Sequence, residues 1–84
     1  MIKFLQVPFF EPDEKGITAH SFNYDDGDYV SKGSVILVIE TTKITLDLTA
    51  PCDGFVRYLI SEGEQLEVEQ EIVVIADEVG ELEL

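Results

Sequence analysis

Eighty-four residues make one domain with one small core, and a 45% apolar share is enough to build it and to exclude disorder. Eighteen acidic residues against five basic ones give a net charge of -13, which excludes phosphate backbones and anionic lipid surfaces as partners. It leaves basic patches on other proteins, or simply a soluble surface. Cys52 is the only cysteine, which excludes an internal disulfide and a paired-thiol zinc site and fits a reducing compartment.

The first ten residues, Met1 to Phe10, are too short and too interrupted for a signal peptide or membrane span, so no targeting segment is visible. Ile2 to Val7 alternates apolar and polar residues and reads as a strand. The loop Phe9 to Lys15 and the turn at Gly16 follow. His20 is the only histidine, so no histidine metal cluster exists, and its adjacency to Ser21 is not a catalytic pair because successive strand side chains point to opposite faces. Asp25-Asp26-Gly27-Asp28 lacks the alternate-ligand spacing and terminal glutamate of a calcium loop and reads as a turn. Ser31-Lys32-Gly33 is a second turn, Val35 to Ile39 a buried strand, and Ile44 to Leu48 another strand. Further turns fall at Pro51-Cys52-Asp53-Gly54 and at Ser61-Glu62-Gly63-Glu64, with Ile72 to Ile75 as the last strand. Cys52 reads as a small, inert hydrophobe beside Asp53. Residues 79–84 are an acidic tail or the start of a linker, with 1–78 as the domain.

The chain repeats itself. A shift of 36 residues lays Gly27 on Gly63, Phe22 on Tyr58, Asp26 on Glu62, Val30 on Leu66 and the run Ile36 to Ile39 on Ile72 to Ile75. Upstream the shift is 43, with Leu5 to Pro8 on Leu48 to Pro51, so the first half carries seven extra residues as the loop after Pro8. Two such halves, each with one apolar sheet face, bury those faces against each other. The expected fold is all-β, a flattened barrel or sandwich of two four-stranded antiparallel sheets with internal pseudo-twofold symmetry.

Between the halves, Glu40 ends one strand and Ile44 starts the next, leaving Thr41-Thr42-Lys43 as a hairpin turn. Lys43 stands at its tip. An exposed lysine keeps its proton at neutral pH and is a poor catalytic amine, but a protruding turn lets another enzyme close around it and acylate it. Against this stands the reading of Lys43 as an ordinary turn charge. The turn lacks the Asn-Gly or Asp-Gly pair that short hairpins favour, so some other requirement selects its residues.

Gly27-Asp28, Lys32-Gly33, Ile39-Glu40-Thr41-Thr42-Lys43-Ile44 and Ala50-Pro51-Cys52-Asp53-Gly54, ungapped from Gly27 to Gly54, resemble the lipoyl domains of the biotinyl/lipoyl carrier family, as found in acyltransferase (E2) subunits of 2-oxoacid dehydrogenase complexes. The resemblance implies that Lys43 carries lipoate, with Glu40, Thr41, Thr42 and Ile44 helping a lipoate ligase or lipoyl transferase choose it. It implies that the loop bearing Phe9, Phe10 and Glu11 lies beside the modified turn and helps partner enzymes recognise the domain, and that Gly27, Gly33, Gly54 and Gly63 serve structural turns. The biotinyl branch places methionines on both sides of its lysine; Thr42 and Ile44 stand there, which favours lipoate over biotin. The implied partners are a thiamine-dependent decarboxylase, an acyltransferase core and a flavoprotein dehydrogenase, in the cytoplasm or, in a eukaryote, the mitochondrial matrix. The module itself is expected to catalyse nothing and bind no metal. A biotin carrier and an unmodified barrel acting as an adaptor are the alternatives; a hydrolase is weakest, because no nucleophile and base can be paired. Thr42 replaces an acid common in the family, and the span Gly54 to Gly63 is one residue short, which predicts a tighter turn or an altered bulge in the second half.

Overall fold

The computed structural model of the chain describes residues 2–8, 16–78 and 80, and Phe9, Phe10, Glu11 and nearly all of the tail 79–84 lie outside them. Seven strands follow one another: β1 (Ile2–Gln6), β2 (Thr18–Phe22), β3 (Tyr29–Val30), β4 (Val35–Glu40), β5 (Thr45–Thr49), β6 (Gly54–Tyr58) and β7 (Glu71–Ala76). They form two antiparallel sheets, ordered β1-β7-β6-β3 and β2-β4-β5, as the alternation and the turn spacing require. Among the described residues no helix is long and apolar enough to cross a membrane.

The repeat is a symmetry of the structure. A shift of 36 carries β2 onto β6 and β4 onto β7 with the same end residues, and a shift of 43 carries β1 onto β5. Even an irregularity is duplicated: the register slips between Val35 and Leu37 on β4, and at the equivalent place beside Ile72, between Leu5 and Gln6 opposite β7. Each slip leaves one extra isoleucine, Ile36 or Ile72, fully buried. By the same shift β3 falls on Gln65 and Leu66. There the fourth member of the second sheet shrinks to one bridge, Gln65 to Thr18, with the Leu66 N–H donating to the Ile17 carbonyl at 2.7 Å.

The core lies between the sheets and draws on equivalent positions of both halves: Ile36 with Ile72, Leu37 with Val73, Ile39 with Ile75, and Val30 with Leu66. On the pseudo-twofold axis Phe22 meets Tyr58, its own counterpart. Their rings stack with centroids 3.9 Å apart and planes 2° apart. Tyr58 donates its hydroxyl proton to the Ile36 carbonyl at 2.6 Å, which satisfies the one polar atom the stack takes inside. Cys52 packs half-buried against this core.

A further one-residue irregularity lies on β2, in the first half alone. Partners along β2 jump from Ala19–Ile39 to Ser21–Val38, so His20 is an inserted residue, whereas Phe55 to Tyr58 pair with β7 without a break. Gly27, Gly33 and Gly63 adopt φ of 92°, 91° and 86° in their turns. Gly54 opens β6, where an added Cβ would lie 2.6 Å from the Ala76 carbonyl oxygen, so close strand packing is what needs glycine there.

Candidate functional site

The turn that joins β4 and β5 runs from Thr41 to Ile44, because the ladder ends at the Glu40–Thr45 pair. Ile44, expected to start the strand, belongs to the turn. The cause is Thr41. Its hydroxyl oxygen accepts from the N–H groups of Lys43 at 3.2 Å and Ile44 at 3.1 Å, while its own N–H donates to the Ile44 carbonyl at 2.8 Å. A threonine side chain thereby performs the closure that an Asn-Gly pair performs in commoner short hairpins. Thr41 is buried, while Thr42, Lys43 and Ile44 are exposed.

Three neighbours support the turn. The Thr18 hydroxyl approaches the Glu40 carbonyl at 3.5 Å, and Gly16, with φ of 72°, lies so close that a Cβ there would touch Thr42 Cγ2 at 3.6 Å. Glu40 points outward, its Oε2 3.4 Å from His20 Nε2. The structure thus brings Glu40, Thr41, Thr42, Lys43 and Ile44 together and adds His20, Thr18 and Gly16, which sequence reasoning did not assign to the site.

His20 also corrects an argument made from alternation. The bulge turns it so that Nδ1 lies 3.3 Å from Ser21 Oγ, and Ser21, His20 and Glu40 form a chain of polar contacts. The side chains of His20 and Glu40 are 54% and 45% exposed. Such a solvated chain on an open sheet face has none of the shielding that activates a serine. Among the described residues no three metal-binding side chains come close enough to hold an ion.

Fold and turn define a class: a sandwich of two internally related β halves that holds one lysine on a braced hairpin. The family described as "Biotin-requiring enzyme", the biotin/lipoyl family, matches residues 7–75, and the chain belongs to it. It is 38% identical over 64 residues to the "dihydrolipoyllysine-residue acetyltransferase component of pyruvate dehydrogenase complex" of Acholeplasma laidlawii, covering 75% of this chain and 12% of that protein. It is 36% identical over 69 residues to the "probable dihydrolipoyllysine-residue succinyltransferase component of 2-oxoglutarate dehydrogenase complex, mitochondrial" of Schizosaccharomyces pombe, covering 81% of this chain and 15% of that protein. The corresponding succinyltransferase component of Rickettsia felis is 35% identical over 57 residues, covering 68% and 13%. The chain therefore spans a small part of the length of these relatives, and their names point to the lipoyl branch of the family.

Proposed function

We propose that this chain is a lipoyl carrier domain, residues 1–78, with lipoate bound as an amide to Lys43 Nζ. The observation that carries the reading is the turn itself: an exposed lysine held between two paired strands by a buried threonine. Attachment needs a side chain that a ligase can surround. Residues 42–44, all exposed, offer one.

In the attachment step the Nζ, having given its extra proton to a base of the ligase, attacks the activated carboxyl carbon of lipoate; the C–N bond forms and the activating group leaves with the carboxyl oxygen it had capped. The amide removes the lysine charge and lengthens the arm. The bound group supplies acyl and electron transfer through its dithiolane. The chain supplies rigidity: Thr41 fixes the turn, so little freedom is lost when a partner docks, and the tether keeps the arm at high local concentration. On this reading the partners are a lipoate ligase or lipoyl transferase, a thiamine-dependent decarboxylase, an acyltransferase core and a flavoprotein dehydrogenase. The setting is the cytoplasm or mitochondrial matrix, and residues 79–84 are an acidic tail or the start of a linker.

Incubation with lipoate ligase, lipoate and ATP is expected to add one lipoyl group by intact mass, and none to Lys43→Ala. A biotin ligase reaction run in parallel is expected to add nothing. An unmodified wild type in the first reaction, or equal modification of Lys43→Ala, would sink the proposal.

A further inference from the structure

Each outer sheet face has a counterpart in the other half, built on strands related by the repeat. Four large apolar side chains are exposed among the described residues: Ile44 in the lysine turn, and Phe4, Tyr29 and Leu59 at 43%, 58% and 43%. The last three lie on one face. Phe4 on β1 points away from the core that holds its neighbour Leu5, and it pairs with Val74. Tyr29 packs edge-on against Phe55 at 5.3 Å. Leu59 continues the alternation of Phe55 and Arg57, its N–H bonded to the Ile72 carbonyl at 2.8 Å. Beneath them Val74 and Ala76, packed with Ile2 and Phe55, form a second apolar cluster on the outside of the sheet.

The counterparts in the other half are polar. Phe4 falls on Asp47, Tyr29 on Gln65 and Leu59 on Asn23, while Ile2 falls on Thr45 and Ala76 on Glu40. The fold therefore accommodates polar residues at these places, and in this half the apolar ones remain exposed above the Val74 and Ala76 cluster. A face of this kind, apolar but for the exposed Arg57 between Phe55 and Leu59, marks an interaction site. At the ends of its strands stand Asp28, Asp53, Glu71, Asp77 and Glu78, all exposed. A second copy of a chain carrying -13 is repelled from such a surface. An apolar surface edged by carboxylates is instead complementary to apolar side chains flanked by lysine or arginine.

We propose that the outer face of the β1-β7-β6-β3 sheet is a docking surface for a cationic, amphipathic polypeptide segment. The lysine turn belongs to the other sheet, so this partner and an enzyme acting on Lys43 can bind together. The proposal is independent of whether Lys43 is modified.

The probe is a short synthetic peptide alternating leucine and lysine, titrated into the whole chain and followed by amide chemical shifts. Saturable binding is expected, with shifts concentrated on β1, β6 and β7, unchanged in Lys43→Ala. The combined variant Phe4→Asp, Tyr29→Gln, Leu59→Asn, which installs the residues of the other half, is expected to weaken binding by about tenfold or more even though it adds negative charge. Single Phe4→Asp and Leu59→Asn variants carry the same test if the combined variant fails to fold. Absence of saturable binding, shifts on β2, β4 and β5, equal affinity of the variant, or equal affinity for a leucine–glutamate peptide would each overturn the proposal. So would a wild-type dimer in sedimentation that the variant lacks, since the occupant would then be a second copy.

Discussion

Thr41 is buried, and its hydroxyl holds two N–H groups of the turn that carries Lys43. Thr41→Val keeps the shape and removes the acceptor, so it is expected to cost about 1 kcal/mol in denaturant unfolding and to slow lipoylation, while Thr41→Ser keeps the acceptor and with it the lipoylation rate. Equal rates for valine and serine would show that the ligase shapes the turn itself. Tyr58 is a second residue with a measurable signature. Burial pushes its hydroxyl up from 10.0 to about 12, and the carboxylates of Asp26 and Asp28 act in the same direction, against a bond from the Tyr24 backbone. The folded state therefore holds this proton more tightly than the unfolded state. Its contribution is complete below the unfolded value and is lost as pH rises from 10.0 towards about 12, a loss on the order of 2 kcal/mol. Phenolate absorbance should show a late ionisation, and Tyr58→Phe should abolish that step and flatten the alkaline loss.

At the scale of elements, the two acid-glycine-acid turns work as reciprocal staples. Asp26 Oδ1 accepts from the Tyr58 N–H at 2.8 Å, and its counterpart Glu62 Oε2 accepts from the Phe22 N–H at 2.8 Å, so each turn holds the strand end of the other half. Within each turn, Asp28 and Glu64 accept from the N–H groups of Asp25 and Ser61. The excess of acid is thus partly structural. Asp26→Ala strands a half-buried N–H and is expected to cost about 1–3 kcal/mol, whereas Glu62→Ala, whose partner is exposed to water, should cost less. At Gly54 an alanine methyl would press on the Ala76 carbonyl at 2.6 Å; Gly54→Ala is expected to destabilise by about 1–3 kcal/mol as β6 and β7 move apart. The turns and the strands β1, β4, β5 and β7 were legible from acid-glycine spacing and alternation, whereas β2, β3 and β6 were not read as strands. The bulge at His20 was not, because an inserted residue changes which partner each residue faces without changing the local pattern.

Across the whole molecule the halves share one core, and Ile36 and Ile72 occupy equivalent buried positions within it. Ile36→Val and Ile72→Val are therefore expected to cost similar amounts, about 0.5–1.5 kcal/mol, with one unfolding transition and an unchanged denaturant slope. Two separate transitions would mean that the halves fold apart. By itself the sequence determined the all-β class, the internal repeat, the division into halves and the lysine between them, because alternation, turn chemistry and self-similarity are properties of residues near one another in the chain. Tertiary structure alone decided that Phe22 and Tyr58 stack on the symmetry axis, that His20 reaches Glu40 and that Phe4, Tyr29 and Leu59 share one outer face. Those contacts join residues far apart in sequence, and which residues meet depends on strand order and register, which a local pattern does not encode.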